Sequence, residues 1–169
     1  IVFTSGATES SNLAIRGAVA AYGRKRKKIV ASAVEHASVK ATLSYLETLG
    51  FTVVTVPPAA DGEYHTEDFL REIDSSVCLV SMMLVNNENG CRLPVENVFR
   101  MVKRNDPEII THCDAVQGFL KIPFKPRTLC ADLVSVSGHK VHALKGVGAL
   151  YIRHGVRVKP ILCGSEQER

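Results

Sequence analysis

Short apolar runs alternate along the chain with longer stretches whose apolar residues recur every three or four positions. The short runs are rich in β-branched residues and end at polar, glycine or proline positions. This pattern predicts strands at 1–4, 28–34, 51–56, 77–85, 109–113, 133–136 and 148–152. The run at 77–85 is almost wholly apolar, as expected for a strand that is buried on both faces. The pattern does not give the direction of the last strand.

Helical periodicity fills four of the intervals between these strands. The first helix is predicted to have Thr8 as its N-cap and to end at Gly23, and the second spans 37–49. The third is short, with Thr66 as its predicted cap, and the fourth opens at Pro94. The alternation predicts a three-layer α/β domain with a mainly parallel seven-stranded sheet and helices on both faces.

Composition narrows the class of protein. The 169 residues are 46% hydrophobic, which excludes a disordered chain and is enough for one domain with a core. Much of the net charge of +4 comes from a basic run at 24–28. Such a run is more typical of a solvated turn than of a nucleic-acid patch, so no nucleic-acid partner is predicted. No uncharged apolar run reaches about 18 residues and no signal peptide is visible, so no membrane association is predicted.

Cysteine usage indicates a reducing environment. The five cysteines are odd in number and none forms a CxxC pair, which argues against a disulfide framework and against a zinc site. A cytoplasmic location is therefore predicted. The chain opens directly on a strand without an initiator methionine and stops without a closing element, which leads us to expect a piece of a longer protein.

Polar groups follow five of the predicted strands, at 5–10, 35–36, 86–88, 114–117 and 137–140. In open α/β sheets, ligands bind outside the carboxyl ends of the strands. One such group is unremarkable, but five together predict a single ligand site along this edge.

The residue types suit a phosphorylated heteroaromatic aldehyde. The turn at 6–8 opens a helix, so the backbone at Ala7 and the hydroxyl of Thr8 favour a phosphate. Ser137 and His139 could add hydrogen-bond donors. The ordinary alternative for Thr8 is a helix N-cap, and both roles are compatible.

The remaining polar residues suit the ring and the aldehyde. His36 could stack on a heteroaromatic ring, and Asp114, at the end of a buried strand, could hold a protonated ring nitrogen. Gln117 or Asn87 could reach a phenolic oxygen, and Lys140 could form an imine. The structural alternatives are a solvent-facing histidine, a helix N-cap aspartate, a turn asparagine and a surface lysine.

The motifs that carry these residues closely resemble those of cysteine desulfurases, fold-type I pyridoxal-phosphate enzymes of the class V aminotransferase group. The resemblance covers essentially the whole chain. Its motifs are Phe3-Thr4-Ser5-Gly6-Ala7-Thr8-Glu9-Ser10-Ser11-Asn12, Val34-Glu35-His36, Val85-Asn86-Asn87-Glu88-Asn89-Gly90, Asp114-Ala115-Val116-Gln117 and Ser137-Gly138-His139-Lys140.

The resemblance implies that residues 1–169 are most of a large, cofactor-binding domain, without the N-terminal segment and the C-terminal small domain. It implies pyridoxal 5′-phosphate as cofactor, with Lys140 as the Schiff-base lysine and His36 or released Lys140 as the base. The residues matched to the cofactor site are Ala7, Thr8, His36, Asn87, Asp114, Gln117, Ser137, His139 and Lys140.

The implied reaction converts L-cysteine to L-alanine and leaves the sulfur as a persulfide on an enzyme cysteine, for iron–sulfur clusters or tRNA thiolation. The implied partners are a second copy of the protein and a sulfur-acceptor or scaffold protein. None of Cys78, Cys91, Cys113, Cys130 and Cys163 matches the persulfide cysteine, so residues 1–169 alone are predicted to be inactive.

The resemblance gives one further expectation, and two alternatives to the implied function stay open. A threonine that reaches the partner subunit's phosphate belongs to a segment predicted to begin at Glu168-Arg169. A selenocysteine lyase or another class V aminotransferase would share the same cofactor residues. A non-catalytic phosphate- or nucleotide-binding module is a more distant alternative, and neither GxGxxG nor a Walker motif supports it.

Overall fold

A computed structural model describes residues 1–164. The prediction for the threonine segment at Glu168-Arg169 lies outside the described residues. Seven strands and four α-helices alternate in this part of the chain: β1 (Val2–Thr4), α1 (Ala7–Tyr22), β2 (Lys28–Ser32), α2 (Ala37–Thr48), β3 (Thr52–Val56), α3 (Thr66–Arg71), β4 (Val77–Met83), α4 (Val95–Asn105), β5 (Ile110–Asp114), β6 (Leu133–Ser137) and β7 (Gly148–Ile152).

The strands form one sheet in the order β1-β7-β6-β5-β4-β2-β3. The pairs from β3 to β6 are parallel, whereas β7 runs antiparallel to both β6 and β1. Two reversals restore the direction, so β1 points the same way as β6. The carboxyl ends of β1, β2, β4, β5 and β6 therefore lie along the same edge of the sheet. The predicted mainly parallel, seven-stranded sheet is confirmed.

Helices cover both faces of the sheet, and each face has its own hydrophobic core. On one face, α1 and α2 bury residues such as Ile15 and Leu43 against the sheet. On the other, α3 and α4 bury Phe69, Phe99 and their neighbours. All seven residues of β4 are buried, because this central strand is covered on both sides. The all-apolar run at 77–85 is explained by this position.

Two predicted helix caps are wrong. Thr8 and Thr66 lie inside the first turns of α1 and α3, whose N-cap residues are Gly6 and His65, and neither cap residue makes a side-chain cap hydrogen bond. At α1, Glu9 holds the preceding turn instead, because its carboxylate accepts hydrogen bonds from the backbone N–H and the hydroxyl of Ser5. The Thr8 hydroxyl is therefore not used by the helix.

The basic run at 24–28 forms the predicted turn between α1 and β2 and, with Lys28, the first residue of β2. It is less solvated than expected. Two of its cations have acidic partners elsewhere in the fold. The Arg26 guanidinium is 2.6 Å from an Asp106 carboxylate oxygen, and Lys28 Nζ is 2.9 Å from Asp74. These ion pairs join the turn to the neighbouring connections of the sheet. No helix within residues 1–164 is long and apolar enough to cross a bilayer.

Candidate active site

A cavity of about 360 Å³ lies at the carboxyl edge of the sheet. This volume is in the range of small-molecule sites. Its wall is built by the segments that follow β1, β2, β4, β5 and β6, which are the five polar groups of the sequence. All nine predicted site residues line it: Ala7, Thr8, His36, Asn87, Asp114, Gln117, Ser137, His139 and Lys140.

The start of α1 forms one end of the cavity. The first hydrogen bond of the helix runs from Ser10 N–H to Gly6 O at 3.0 Å, so the N–H groups of Ala7 and Thr8 precede the helical ladder. Both residues line the cavity. Free N–H groups and the positive end of the helix dipole favour an anion here, with the unused Thr8 hydroxyl as a further donor.

A close approach of two glycines fixes this turn against the sheet. A Cβ atom at Gly148, the first residue of β7, would lie 2.6 Å from Gly6 Cα and 2.7 Å from Gly6 C. Gly6 itself has φ of 157°, which favours glycine. The absence of a side chain at Gly148 lets the helix start lie this close to β7, whereas a Cβ at Gly6 would meet only Ser137 Oγ, at 4.0 Å. The sequence reasoning missed Gly148, because its partner is 142 residues away along the chain.

Ser137 and His139 face the same end of the cavity. Ser137 Oγ is 2.7 Å from His139 Nδ1, so the two side chains hold each other in place. Ser137 is buried at the end of β6, whereas His139 is exposed. Together with Thr8 they supply two hydroxyls and an imidazole beside the helix start, a donor set that suits a phosphate.

Asp114 forms the floor of the cavity and is 5% exposed. Its Oδ1 accepts a hydrogen bond from Val116 N–H at 3.0 Å, and Oδ2 makes no hydrogen bond within residues 1–164. Burial raises the pKa of this carboxyl above its usual range, against the opposing effects of the Val116 hydrogen bond and the His36 charge. A cationic N–H group in the cavity would supply the missing partner.

Two amides lie near the floor. Gln117 Oε1 accepts a hydrogen bond from Lys121 Nζ at 2.8 Å, which leaves its NH₂ group available as a donor. Asn87 is exposed in a turn that Asn86 organises, since Asn86 Oδ1 accepts hydrogen bonds from the N–H groups of Glu88 and Asn89. Asn87 is thus a turn asparagine that also lines the cavity.

His36 is the N-cap of α2. Its Nδ1 accepts a hydrogen bond from Ser38 N–H at 3.2 Å and lies 2.8 Å from Ser38 Oγ. An Nδ1 that accepts carries no proton, so the neutral ring has its proton on Nε2. These hydrogen bonds with Ser38 hold His36 at the start of α2 and select one tautomer of its ring.

Lys140 lies on a single 3₁₀ turn, Gly138–Val141, directly after β6. It is exposed, lines the cavity and makes no hydrogen bond or ion pair within residues 1–164. A Cβ at Gly138 would lie 3.2 Å from Val147 O and 3.3 Å from Leu144 O, so the turn packs tightly on the loop that follows. The turn holds the lysine at the cavity mouth with its amine unpaired.

The sequence reasoning gave no role to Glu35, although the residue precedes His36. Glu35 is 2% exposed, and burial raises its pKa to about 8. An unpaired acid in an otherwise apolar strand-to-helix connection is the sequence signal that could have identified it.

The cysteines lie away from the site. None within residues 1–164 lines the cavity, and Cys78 and Cys113 are buried in the two cores.

The fold and the cavity define an α/β protein with a lysine, a buried carboxylate and an anion-binding helix start at one sheet edge. The aminotransferase class-V family model matches residues 1–169, and the chain belongs to that family. A cysteine desulfurase of Nostoc sp. (strain PCC 7120) is 42% identical over 169 residues, which are 100% of this chain and 42% of that protein. The chain thus spans less than half the length of this relative.

Solved structures agree with this assignment. A NifS-like protein superposes with a TM-score of 0.93 at 41% identity, over 99% of this chain and 46% of the other. A second structure, SspA in complex with cysteine, gives a TM-score of 0.91 at 36% identity, over 99% of this chain and 48% of the other. The resemblance to cysteine desulfurases is confirmed.

Members of this family depend in general on pyridoxal phosphate. The cavity fits that group on two observations. Asp114 has a buried carboxyl with an unused oxygen, which suits a pyridinium N–H, and the helix start beside Gly6 suits a phosphate. An unpaired lysine lies on the same wall.

Proposed function

We propose that the protein that carries this chain is a pyridoxal-phosphate-dependent cysteine desulfurase. It would convert L-cysteine to L-alanine and transfer the sulfur to one of its own cysteines as a persulfide. The observation that carries the proposal is the meeting of Lys140, Asp114 and the start of α1 in one cavity. These three features lie far apart in the sequence and suit the aldehyde, ring nitrogen and phosphate of one cofactor.

When bound, pyridoxal phosphate supplies an electron sink that weakens the bonds at the substrate's α-carbon. Lys140 Nζ is the nucleophile that would fix the aldehyde. Asp114 would keep the ring nitrogen protonated, since the residue is largely buried, lines the cavity and has an unused oxygen that a cationic donor would satisfy. Ala7 N–H, with Thr8 and Ser137, would bind the phosphate.

The hydrogen bonds at His36 bear on which residue removes the α-proton. His36 Nδ1, the unprotonated nitrogen of the neutral ring, is already used by Ser38. The Lys140 amine has no hydrogen-bond or ion-pair partner within residues 1–164. This contrast favours Lys140 as the base and leaves His36 to stack on the ring.

The remaining parts of the proposal concern the whole protein. The cysteine that accepts the sulfur is predicted to lie outside residues 1–169, in keeping with a cavity that none of the described cysteines lines. A homodimer, a separate sulfur-acceptor or scaffold protein and a cytoplasmic location are proposed with it. Residues 1–169 alone are expected to release no alanine from L-cysteine.

The test is a product analysis of the complete protein with pyridoxal phosphate and L-cysteine. Equal amounts of alanine and sulfide are expected in the presence of a reductant. A keto acid product would indicate an aminotransferase, and turnover of selenocysteine but not cysteine would indicate a lyase. Borohydride reduction should label Lys140, and label on the neighbouring Lys145 instead would refute the assignment.

A further inference from the structure

Glu35 fastens the loop that carries His36 to the centre of the sheet. The loop joins β2 to α2, and Glu35 is the residue before the ring. Its Oε1 accepts a hydrogen bond from Met83 N–H at 2.6 Å and another from the Ser32 hydroxyl. Its Oε2 is buried and has no hydrogen-bond partner within residues 1–164.

These bonds reach the strand that lies beside Asp114. Met83 is the last residue of β4, it pairs in register with Asp114 on β5, and it lines the cavity. A second bond, from Asn86 Nδ2 to Val34 O at 3.3 Å, joins the same two loops. The position of His36 relative to Asp114 therefore depends on contacts that Glu35 makes, although Glu35 does not line the cavity.

The charge of Glu35 follows from the groups that face it. Burial is the main cause that raises its pKa to about 8, and the charge of Asp114 on β5 adds to it. The Ser32 and Met83 hydrogen bonds and the charge of Lys40 on α2 oppose the shift. Tyr64, on the connection after β3, has its own pKa raised by burial and by Glu35. Glu35 is thus mainly protonated at neutral pH.

We propose that Glu35 is a positioning residue that acts as an uncharged clamp. It holds the loop of His36 against the strand beside Asp114 and adds no second carboxylate charge beneath the cavity. The inference rests on the proposed function, because it assigns His36 and Asp114 to the same cofactor.

The test compares three variants of the complete protein in titrations of the apo form with pyridoxal phosphate. Glu35→Gln keeps an acceptor for Met83 N–H and is uncharged, whereas Glu35→Leu fills the volume without an acceptor. Affinity within about twofold of the wild type is expected for the first, and a loss of about tenfold or more for the second. Glu47→Gln, on the exposed side of α2, is the control and should change nothing.

A pH profile separates the clamp from a merely structural role. The native protein keeps a proton on Glu35 that the unfolded chain releases above about pH 4.5, so folding loses stability as pH rises from 4.5 to 8. The melting temperature of the apo wild type should therefore fall relative to that of Glu35→Gln between pH 5 and pH 8. Parallel melting profiles would show that Glu35 is charged in the native state and overturn the inference.

Two further binding results would also overturn it: Glu35→Leu binding as tightly as the wild type, or Glu35→Gln binding as weakly as Glu35→Leu. If Glu35→Leu does not fold, Ser32→Ala removes one donor and is expected to weaken binding about threefold. Unchanged affinity in Ser32→Ala would then refute the clamp. A wild type that does not bind pyridoxal phosphate would refute the proposed function instead, so the two failures are distinguishable.

Discussion

Replacing Gly148 with alanine tests how the helix start is held in place. The new Cβ would lie 2.6 Å from Gly6 Cα, 2.7 Å from Gly6 C and 2.9 Å from Thr4 Oγ1. Ordinary contacts of this kind begin at 3.4 Å, so the turn must move by roughly 1 Å. Two of the three contacted atoms are backbone, and a change of side-chain rotamer cannot relieve the overlap.

Overpacking of this kind costs about 1–3 kcal/mol in folding stability. A loss of similar size is expected in phosphate affinity. A shift of the Ala7 and Thr8 N–H groups would weaken charge-assisted hydrogen bonds worth about 1.5–3 kcal/mol each. The affinity of the complete protein for pyridoxal phosphate should fall by about tenfold to a hundredfold.

The assay is an apo-protein titration with pyridoxal phosphate, together with urea unfolding of the same samples. Gly164→Ala is the matched control, because a Cβ there meets nothing within 4 Å and the backbone needs no positive φ. A Gly148→Ala protein with both affinity and stability unchanged would show that the two glycines do not hold the helix start, and would refute the reasoning.

Three other predictions concern buried titratable side chains. Asp114→Asn should weaken pyridoxal phosphate binding at least tenfold. It should also stabilise the apo protein by about 1 kcal/mol in urea unfolding at pH 7, because it removes a buried carboxyl whose pKa is raised. An apo variant less stable than the wild type would contradict this. Asp132→Ala should cost about 3–5 kcal/mol in the same assay without changing the cofactor affinity of the folded protein. It removes, far from the cavity, the buried anion that pairs with the largely buried Lys103 ammonium and accepts the Thr111 N–H; equal stability would contradict this. His112 is fully buried, and burial lowers its pKa to about 3. The free energy of unfolding should therefore fall by up to about 1.4 kcal/mol per pH unit as the pH drops from 6.5 towards 3. In acid unfolding, His112→Asn should make this slope smaller.

The parts of the fold that local sequence determines were predictable. Strand positions followed from apolar runs, and the meeting of the site loops followed from the rule that parallel strands share a carboxyl edge. The direction of β7 was not predictable, because an alternating strand has the same pattern in either direction. The direction of β7 nonetheless decides where Ala7 and Thr8 lie. Because β7 is antiparallel to both β1 and β6, the carboxyl end of β1 lies at the same edge as that of β6.

The features that the sequence did not reveal depend on distant partners. Thr8 was expected to cap α1, but the chain uses Gly6 as the cap residue and Glu9 to hold the preceding turn. Glu35 had no predicted role, because its partner Met83 is 48 residues away. Strand β2 was also predicted to reach residue 34, whereas it ends at Ser32, where the chain turns to place Glu35 beneath the cavity.

The sheet below the cavity is polar on one face yet carries little charge. Ser81 Oγ and Ser135 Oγ lie 2.8 Å and 2.9 Å from the two ring nitrogens of His112, so one nitrogen of the neutral imidazole can donate and the other accept. Asp114 comes two residues later and points to the same face, because side chains alternate along a strand. With His112 and Glu35 both uncharged at neutral pH, Asp114 is the group whose ionisation a bound cation would favour. The neighbours of Asp114 thus add no competing charge, which suits a partner for a protonated ring nitrogen.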